Sequence, residues 1–263
     1  MSKIIIGISG VRGIPLEHLK KLAKQTSLPL LDRNIQPEYI LHLTREYLEL
    51  QKVSSENKNK KVKTDSIHIE FLQGKTRHRR LQGGGKGQDI AKAIGMHKIN
   101  NPTVLDLTTG LGGDAFVLAS LGCDVTMLER NPIVHALLND ALQRASLSAD
   151  HEMQDILSRM NLKNEEAIKY ISTLEGLPDV IYLDPMFPTR TKSAQVKKEM
   201  QFLHDIVGKD DDSENLLLLA LEKATKRIVV KRPRLAEKLT EELEPAFVIS
   251  GKSTRYDVYL PLS

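Results

Sequence analysis

VLDLTTGLGGDAF, Val104 to Phe116, decides the fold. An apolar β-run, TVLDLT (Thr103 to Thr108), carries Asp106 near its end, Gly110, Gly112 and Gly113 follow, and DAFVLASLG (Asp114 to Gly122) reads as a helix closing on glycine. In open α/β sheets ligands bind outside the carboxyl ends of the strands, and glycines let a ligand come close to the backbone. The stretch predicts a strand, a nucleotide-type binding loop and a helix, with Asp106, Gly110, Gly112 and Gly113 at the loop. A βα turn that merely needs positive φ is the plainer alternative.

The same alternation continues toward the C-terminus. DVTMLE (Asp124 to Glu129) is a second strand, and NPIVHALLNDALQRA (Asn131 to Ala145) a helix with an Asn cap and Pro at its first position. A third helix leads to the strand DVIYLD (Asp179 to Asp184). A long helical region then precedes the β-runs RIVVKRP, AFVIS and YDVYLPL, the last two separated by GKSTR (Gly251 to Arg255) as in a hairpin. Repeated βα units with apolar strands imply a parallel sheet covered by helices on both faces.

Toward the N-terminus the pattern changes. MSKIIIGISG reads as an early strand, PEYILHLTREYLELQ (Pro37 to Gln51) as a helix by the recurrence of Ile40, Leu41, Leu43, Tyr47, Leu48 and Leu50, and SIHIEFL (Ser66 to Leu72) as a strand. LQGGGKGQ (Leu81 to Gln88) is the strongest punctuation, so a small N-terminal α/β domain is placed at residues 1–87 and a second domain at 88–263.

Glu129 closes the second strand, near the roughly 20-residue spacing at which an acid after a glycine fingerprint takes the ribose hydroxyls of an adenosine. That pairing favours an adenosine-bearing cofactor without separating NAD from S-adenosylmethionine. GLGGDA departs from GxGxxG, and Asp106 and Asp184 both lie at strand ends. Carboxylates suit a cationic sulfonium and repel a pyrophosphate, which favours S-adenosylmethionine.

YLDPMFPTR (Tyr182 to Arg190) stiffens the fourth strand end. Pro185 disfavours a helical Asp184, so the carboxylate is held extended; Pro188 stiffens the far side and Phe187 is presented at the tip. Asp184 is then placed to accept a hydrogen bond from an exocyclic base amine, with Phe187 stacked on the base. Methyl transfer from a sulfonium needs mainly alignment, so no nucleophilic side chain is required. A rigid turn with a buried Phe is the plainer reading.

The 263 residues are 40% hydrophobic and 27% charged, with no apolar run approaching the roughly 20 residues of a membrane span and no signal-peptide pattern. Cys123 is the only cysteine, so an intrachain disulfide is impossible, a reducing cytoplasm is expected, and the thiol reads as a small buried hydrophobe. The eight histidines form no HExxH or Cys/His cluster, so no metal is expected. The 38 basic residues against 34 acidic are bunched in KNKKVK (Lys58 to Lys63), KTRHRR (Lys75 to Arg80), RTKSAQVKK (Arg190 to Lys198) and KRIVVKRPR (Lys226 to Arg234), which tilts toward a polyanion such as nucleic acid. Arg190, Lys192, Lys197 and Lys198 are the candidates for phosphates.

DLTTGLGGDAFVLASLGC, MLERNP, YLDPMFPTRTKSAQVKKEM and VVKRP together resemble the ribosomal RNA small-subunit methyltransferase J family, from about RHRRLQGGGKGQ to the C-terminus. The resemblance implies a Rossmann-like class I methyltransferase fold, with a seven-stranded, mostly parallel sheet. It further implies S-adenosylmethionine as cofactor and methylation of the N2 amine of guanine-1516 in 16S rRNA of the small ribosomal subunit. Carried across by motif, it adds Gly113 and Asp114, Glu129 and Arg130, Glu166 and Ala167 at the third strand end, and Asp184 to the cofactor side. Arg79 and Arg80, in the basic stretch before the glycines, go to the substrate side, with a flexible linker as the rival reading of that stretch. Two readings compete: a nicotinamide-dependent oxidoreductase using the same loop, and a non-catalytic RNA-binding module.

Overall fold

The computed structural model describes residues 5–32, 35–53, 65–73, 85–186, 202, 205–208 and 212–262. Two sheets organise them. The larger contains β5 (Thr103–Asp106), β6 (Asp124–Leu128), β7 (Met160–Lys163), β8 (Val180–Leu183), β9 (Arg227–Pro233), β10 (Phe247–Ser250) and β11 (Thr254–Tyr259), in the order β10-β11-β9-β8-β5-β6-β7. β5 to β9 run parallel, and β11 lies antiparallel to both its neighbours, which gives the expected hairpin. Chain order reverses between β5 and β8, which are adjacent, so a crevice opens there at the carboxyl ends of the strands.

Alternate residues of these strands enter different cores. Val104, Val125, Val180, Tyr182 and Val229 face one side, packed with α2 (Asp89–Ile94), α3 (Gly113–Ser120), α4 (Pro132–Ser146) and α5 (His151–Ser158). Leu105, Leu128, Ile181, Leu183, Ile228 and Val230 face the other, packed with α6 (Ala167–Ser172) and α7 (Ser213–Lys223). Both faces are covered, as the near-continuous apolar strand runs require. α4 starts as its sequence predicts: the Asn131 side chain accepts from the N–H groups of Ile133 and Val134, with Pro132 next.

The smaller sheet holds β1 (Ile6–Gly10), β2 (Tyr39–Leu43), β3 (Leu48–Lys52) and β4 (Asp65–Ile67) in that order, with α1 (Leu16–Thr26) between β1 and β2. The helix expected over Pro37 to Gln51 is instead the β2–β3 hairpin. Thr44 makes the turn, its hydroxyl donating to the Tyr47 carbonyl at 2.7 Å and accepting from the Tyr47 N–H at 2.9 Å. Tyr39 and Leu41 before that turn, and Leu48 and Leu50 after it, are buried at period two. The turn shifts their phase so that the apolar set also mimics a helical period. SIHIEFL is strand only at its start, but Ile67, Ile69 and Phe71 stay buried in alternation.

Residues of this sheet and of α2 to α5 share one apolar cluster. Phe71 stacks on Phe116 with centroids 4.9 Å apart, and Arg144 of α4 reaches Glu70 at 3.1 Å and Asp140 at 2.8 Å. Cys123 is buried, and burial first, then Asp124, pushes its thiol up to about 12, as suits an inert packing residue.

Candidate active site

The carboxyl ends of β5, β6, β8 and β9 converge on one acidic crevice. After β5 the backbone folds over: Gly112 has φ 74° at the head of α3, and a Cβ there would lie 2.7 Å from a Leu138 methyl. Only glycine fits that position. At Gly113 a Cβ would meet nothing within 4 Å, so the backbone there is open to a ligand.

Glu129, just past β6 and 7% exposed, uses both carboxylate oxygens. Oε2 accepts from the Gly110 N–H at 3.1 Å and Oε1 from the Asn131 N–H at 2.7 Å, so one acid ties the glycine loop to the head of α4. Carboxylate oxygens accept more than one donor, which suits a ribose hydroxyl.

Asp106 is 2% exposed and accepts from the Thr108 N–H at 3.1 Å. Burial pushes its carboxyl up to about 8 against that hydrogen bond, and the charges of Asp114 and Asp184 add to the rise. Asp184 follows β8, with its N–H donating to Thr108 Oγ1 at 2.6 Å. Lys231 of β9 bridges two acids, its Nζ lying 2.6 Å from Asp114 Oδ2 and 2.7 Å from Asp184 Oδ2. The Tyr182 hydroxyl donates to the same Asp114 oxygen at 2.8 Å. Burial opposes the Lys231 charge, but Asp184 and then Asp114 outweigh it and raise the pKa above the usual lysine value.

Asp106, Gly110, Gly113, Asp114, Glu129 and Asp184 thus come together around the crevice. Arg130 points its guanidinium at Asp212, 2.6 Å away at the head of α7. β7 ends at Lys163, so Glu166 and Ala167 lie past the strand at the start of α6, where Glu166 caps the helix by accepting from the N–H groups of Ile168 and Lys169. Phe187, Arg79, Arg80, Arg190, Lys192, Lys197 and Lys198 lie outside the described residues.

Sequence reasoning missed Lys231, Tyr182 and Thr108. A signal existed for the first: Lys231 interrupts the otherwise apolar IVV run of a central strand, where a cation must find an anion. Tyr182 and Thr108 owe their roles to strand neighbours distant in sequence.

The donor set fits a cationic, adenosine-bearing ligand: carboxylates ring the crevice, Glu129 stands at the β6 end, and the backbone is open at Gly113. Among the described residues no group of three or more His, Cys, Asp or Glu side chains is placed to hold a metal, and no helix is long and apolar enough to cross a membrane.

A family model described as SAM-dependent methyltransferase matches residues 21–261. Ribosomal RNA small subunit methyltransferase J of Coxiella burnetii is 47% identical over 250 residues, covering 93% of this chain and 92% of that protein. The protein of that name from Cellvibrio japonicus is 48% identical over 227 residues, 84% of this chain and 83% of its own length. The crystal structure of a SAM-dependent methyltransferase from Neisseria gonorrhoeae superposes with a TM-score of 0.72 at 36% identity, covering 97% of this chain and 95% of that one. The similarity reaches well into the N-terminal part, beyond the stretch from RHRRLQGGGKGQ onward in which the motifs lie. The chain belongs to the ribosomal RNA small subunit methyltransferase J family of S-adenosylmethionine-dependent methyltransferases.

Proposed function

We propose that this methyltransferase modifies the exocyclic N2 amine of guanine-1516 in 16S rRNA, as free RNA or within the small ribosomal subunit, in the cytoplasm. The observation that carries the reading is the Asp184 carboxylate: its side chain stands 40% exposed just past β8, in one acidic cluster with Asp106 and Asp114 at the carboxyl ends of the strands. S-adenosylmethionine, when bound, supplies a methyl group on an already activated sulfonium. The glycine loop and Glu129 would hold its adenosine, and the carboxylates of Asp114 and Asp184 favour its positive charge.

Asp184 accepts a hydrogen bond from the guanine amine and so aims the nitrogen lone pair away from itself, across the crevice. The amine proton that must leave is the one held against Asp184. Phe187, one residue beyond the described DPM segment, stacks on the extruded base. Arg79, Arg80, Arg190, Lys192, Lys197 and Lys198 take backbone phosphates. Residues 1–87 form a small substrate-side domain beside the catalytic domain at 88–263. What supports this is that Lys52 of β3 reaches Asp205 at 3.0 Å and Tyr39 of β2 packs edge-on against Phe202, both shortly after the basic RTKSAQVKK stretch.

Asp184→Asn tests the assignment. Methyl transfer is expected to fall about 100-fold or more while the fold, read as the circular-dichroism spectrum, is kept. Turnover at the wild-type rate would overturn it.

A further inference from the structure

We propose that Lys231 is a positioning residue for methyl transfer, clamping the amine-accepting Asp184 to Asp114 at the first turn of α3 and so fixing the carboxylate relative to the glycine loop. The clamp joins three elements through one nitrogen atom: β9 supplies the ammonium, the segment after β8 supplies Asp184, and α3 supplies Asp114. Tyr182, on the strand that Asp184 ends, donates to the same Asp114 oxygen and closes the arrangement. The register that brings Lys231 there is set by the parallel pairing of Leu183 with Val230, one residue before each partner.

Packing alone does not call for a lysine at this position. Val229 and Val230 beside it are fully buried, and a buried ion pair roughly breaks even against an apolar residue of similar size. What the ammonium adds is direction: it has three donors, and two of its contacts go to the acids that border the crevice. Side-chain exposures of 24% for Lys231 and 12% for Asp114 keep that half of the clamp largely out of water, while Asp184 at 40% stays open to a substrate.

The charges facing Asp184 make the role testable. Lys231 approaches from β9, Asp114 from α3, Asp106 from β5 and Tyr182 from β8 itself, with Tyr256 of β11 next to Tyr182. With the ammonium gone, the Asp184 and Asp114 carboxylates lose the cation between them, and like charges disfavour ionisation. A protonated Asp184 has lost acceptor capacity, so transfer should then gain a pH dependence beyond that of the intact enzyme.

The proposal rests on the reading of Asp184 as the amine acceptor, and the experiment separates the two. Wild type, Lys231→Met, Lys231→Arg and Asp184→Asn are assayed for kcat and KM on unmethylated small ribosomal subunits from pH 6 to 9, with thermal midpoints recorded. Lys231→Met is expected to lower kcat about 100-fold, the cost of a misplaced group, with a smaller change in KM for S-adenosylmethionine. The ratio of its kcat to that of wild type should climb with pH, and Lys231→Arg should recover much of the loss. Lys231→Gln, which keeps N–H donors without charge, carries the same readout if the Met variant does not fold. If Asp184→Asn is inactive while the neutral Lys231 variants keep wild-type kcat and a flat ratio, the clamp falls and the Asp184 assignment stands. If Asp184→Asn is fully active, both fall.

Discussion

Asp106 carries an unusual burden for a carboxyl group: almost no solvent, one backbone donor and two acidic neighbours. Its folded-state pKa of about 8 lies far above the value near 4 of an unfolded chain, so the fold favours the protonated form. The stability this contributes is full below about pH 4 and is lost progressively as pH rises toward 8. The thermal midpoint of wild type, taken relative to Asp106→Asn, should therefore fall steadily from pH 4.5 to 8; a constant difference would refute the assignment. Gly112 makes a second prediction at this scale. Alanine there meets both an adverse φ and the Leu138 methyl, so Gly112→Ala should cost about 1–3 kcal/mol in urea unfolding and weaken S-adenosylmethionine binding. Unchanged stability and affinity would show that the loop tolerates a side chain. Asp106, Glu129 and Asp184 were legible because each ends an apolar run, a purely local signal. Thr108 was not, and Lys231 showed only as a cation in an apolar run, because their partners are chosen by how β9 sits against β8 and β8 against β5, which no short window contains.

Among elements, the βα units were legible and the N-terminal hairpin was not. Strands that are apolar throughout, separated by glycine, Asn-Pro or long helical runs, leave little choice of fold. Tyr39 to Lys52 is different, since the Thr44 turn offsets two period-two strands into a pattern that counts like a helix. Only pairing with β1 on one side and β4 on the other resolves it. α6 illustrates the opposite case, in which a side chain assigned by resemblance to the cofactor already has structural work. Glu166 accepts from Ile168 N–H at 3.1 Å and Lys169 N–H at 2.9 Å, so Glu166→Ala should lose about 1 kcal/mol of stability through the cap. A urea midpoint unchanged at constant m would contradict that role.

Across the whole molecule, the seven-stranded sheet gathers acids that suit a cation, while the basic clusters at 58–63, 75–80 and 190–198, proposed to meet a polyanion, lie outside the described residues; in KRIVVKRPR, Lys231, Arg232 and Arg227 are engaged with Asp114 and Asp184, the Glu237 carbonyl and the Ala93 carbonyl. A net charge of +4 conceals this division, because 38 basic and 34 acidic residues are sorted by position along the chain. RNA binding should accordingly weaken with salt, with a log–log slope of roughly −0.7 for each phosphate neutralised in single-stranded RNA, whereas cofactor binding should change far less. Filter binding and calorimetry from 50 to 300 mM salt, on the order of the physiological range, check both. Equal salt sensitivity would argue against separate acidic and basic surfaces. The most direct test of the central claim is nucleoside mass spectrometry of 16S rRNA from cells with and without the gene. One N2-methylguanosine, mapping to position 1516, should vanish on deletion and return with the wild-type gene but not with Asp184→Asn. An unchanged methylguanosine content, or the loss of a methyl group from a different atom, would contradict the account.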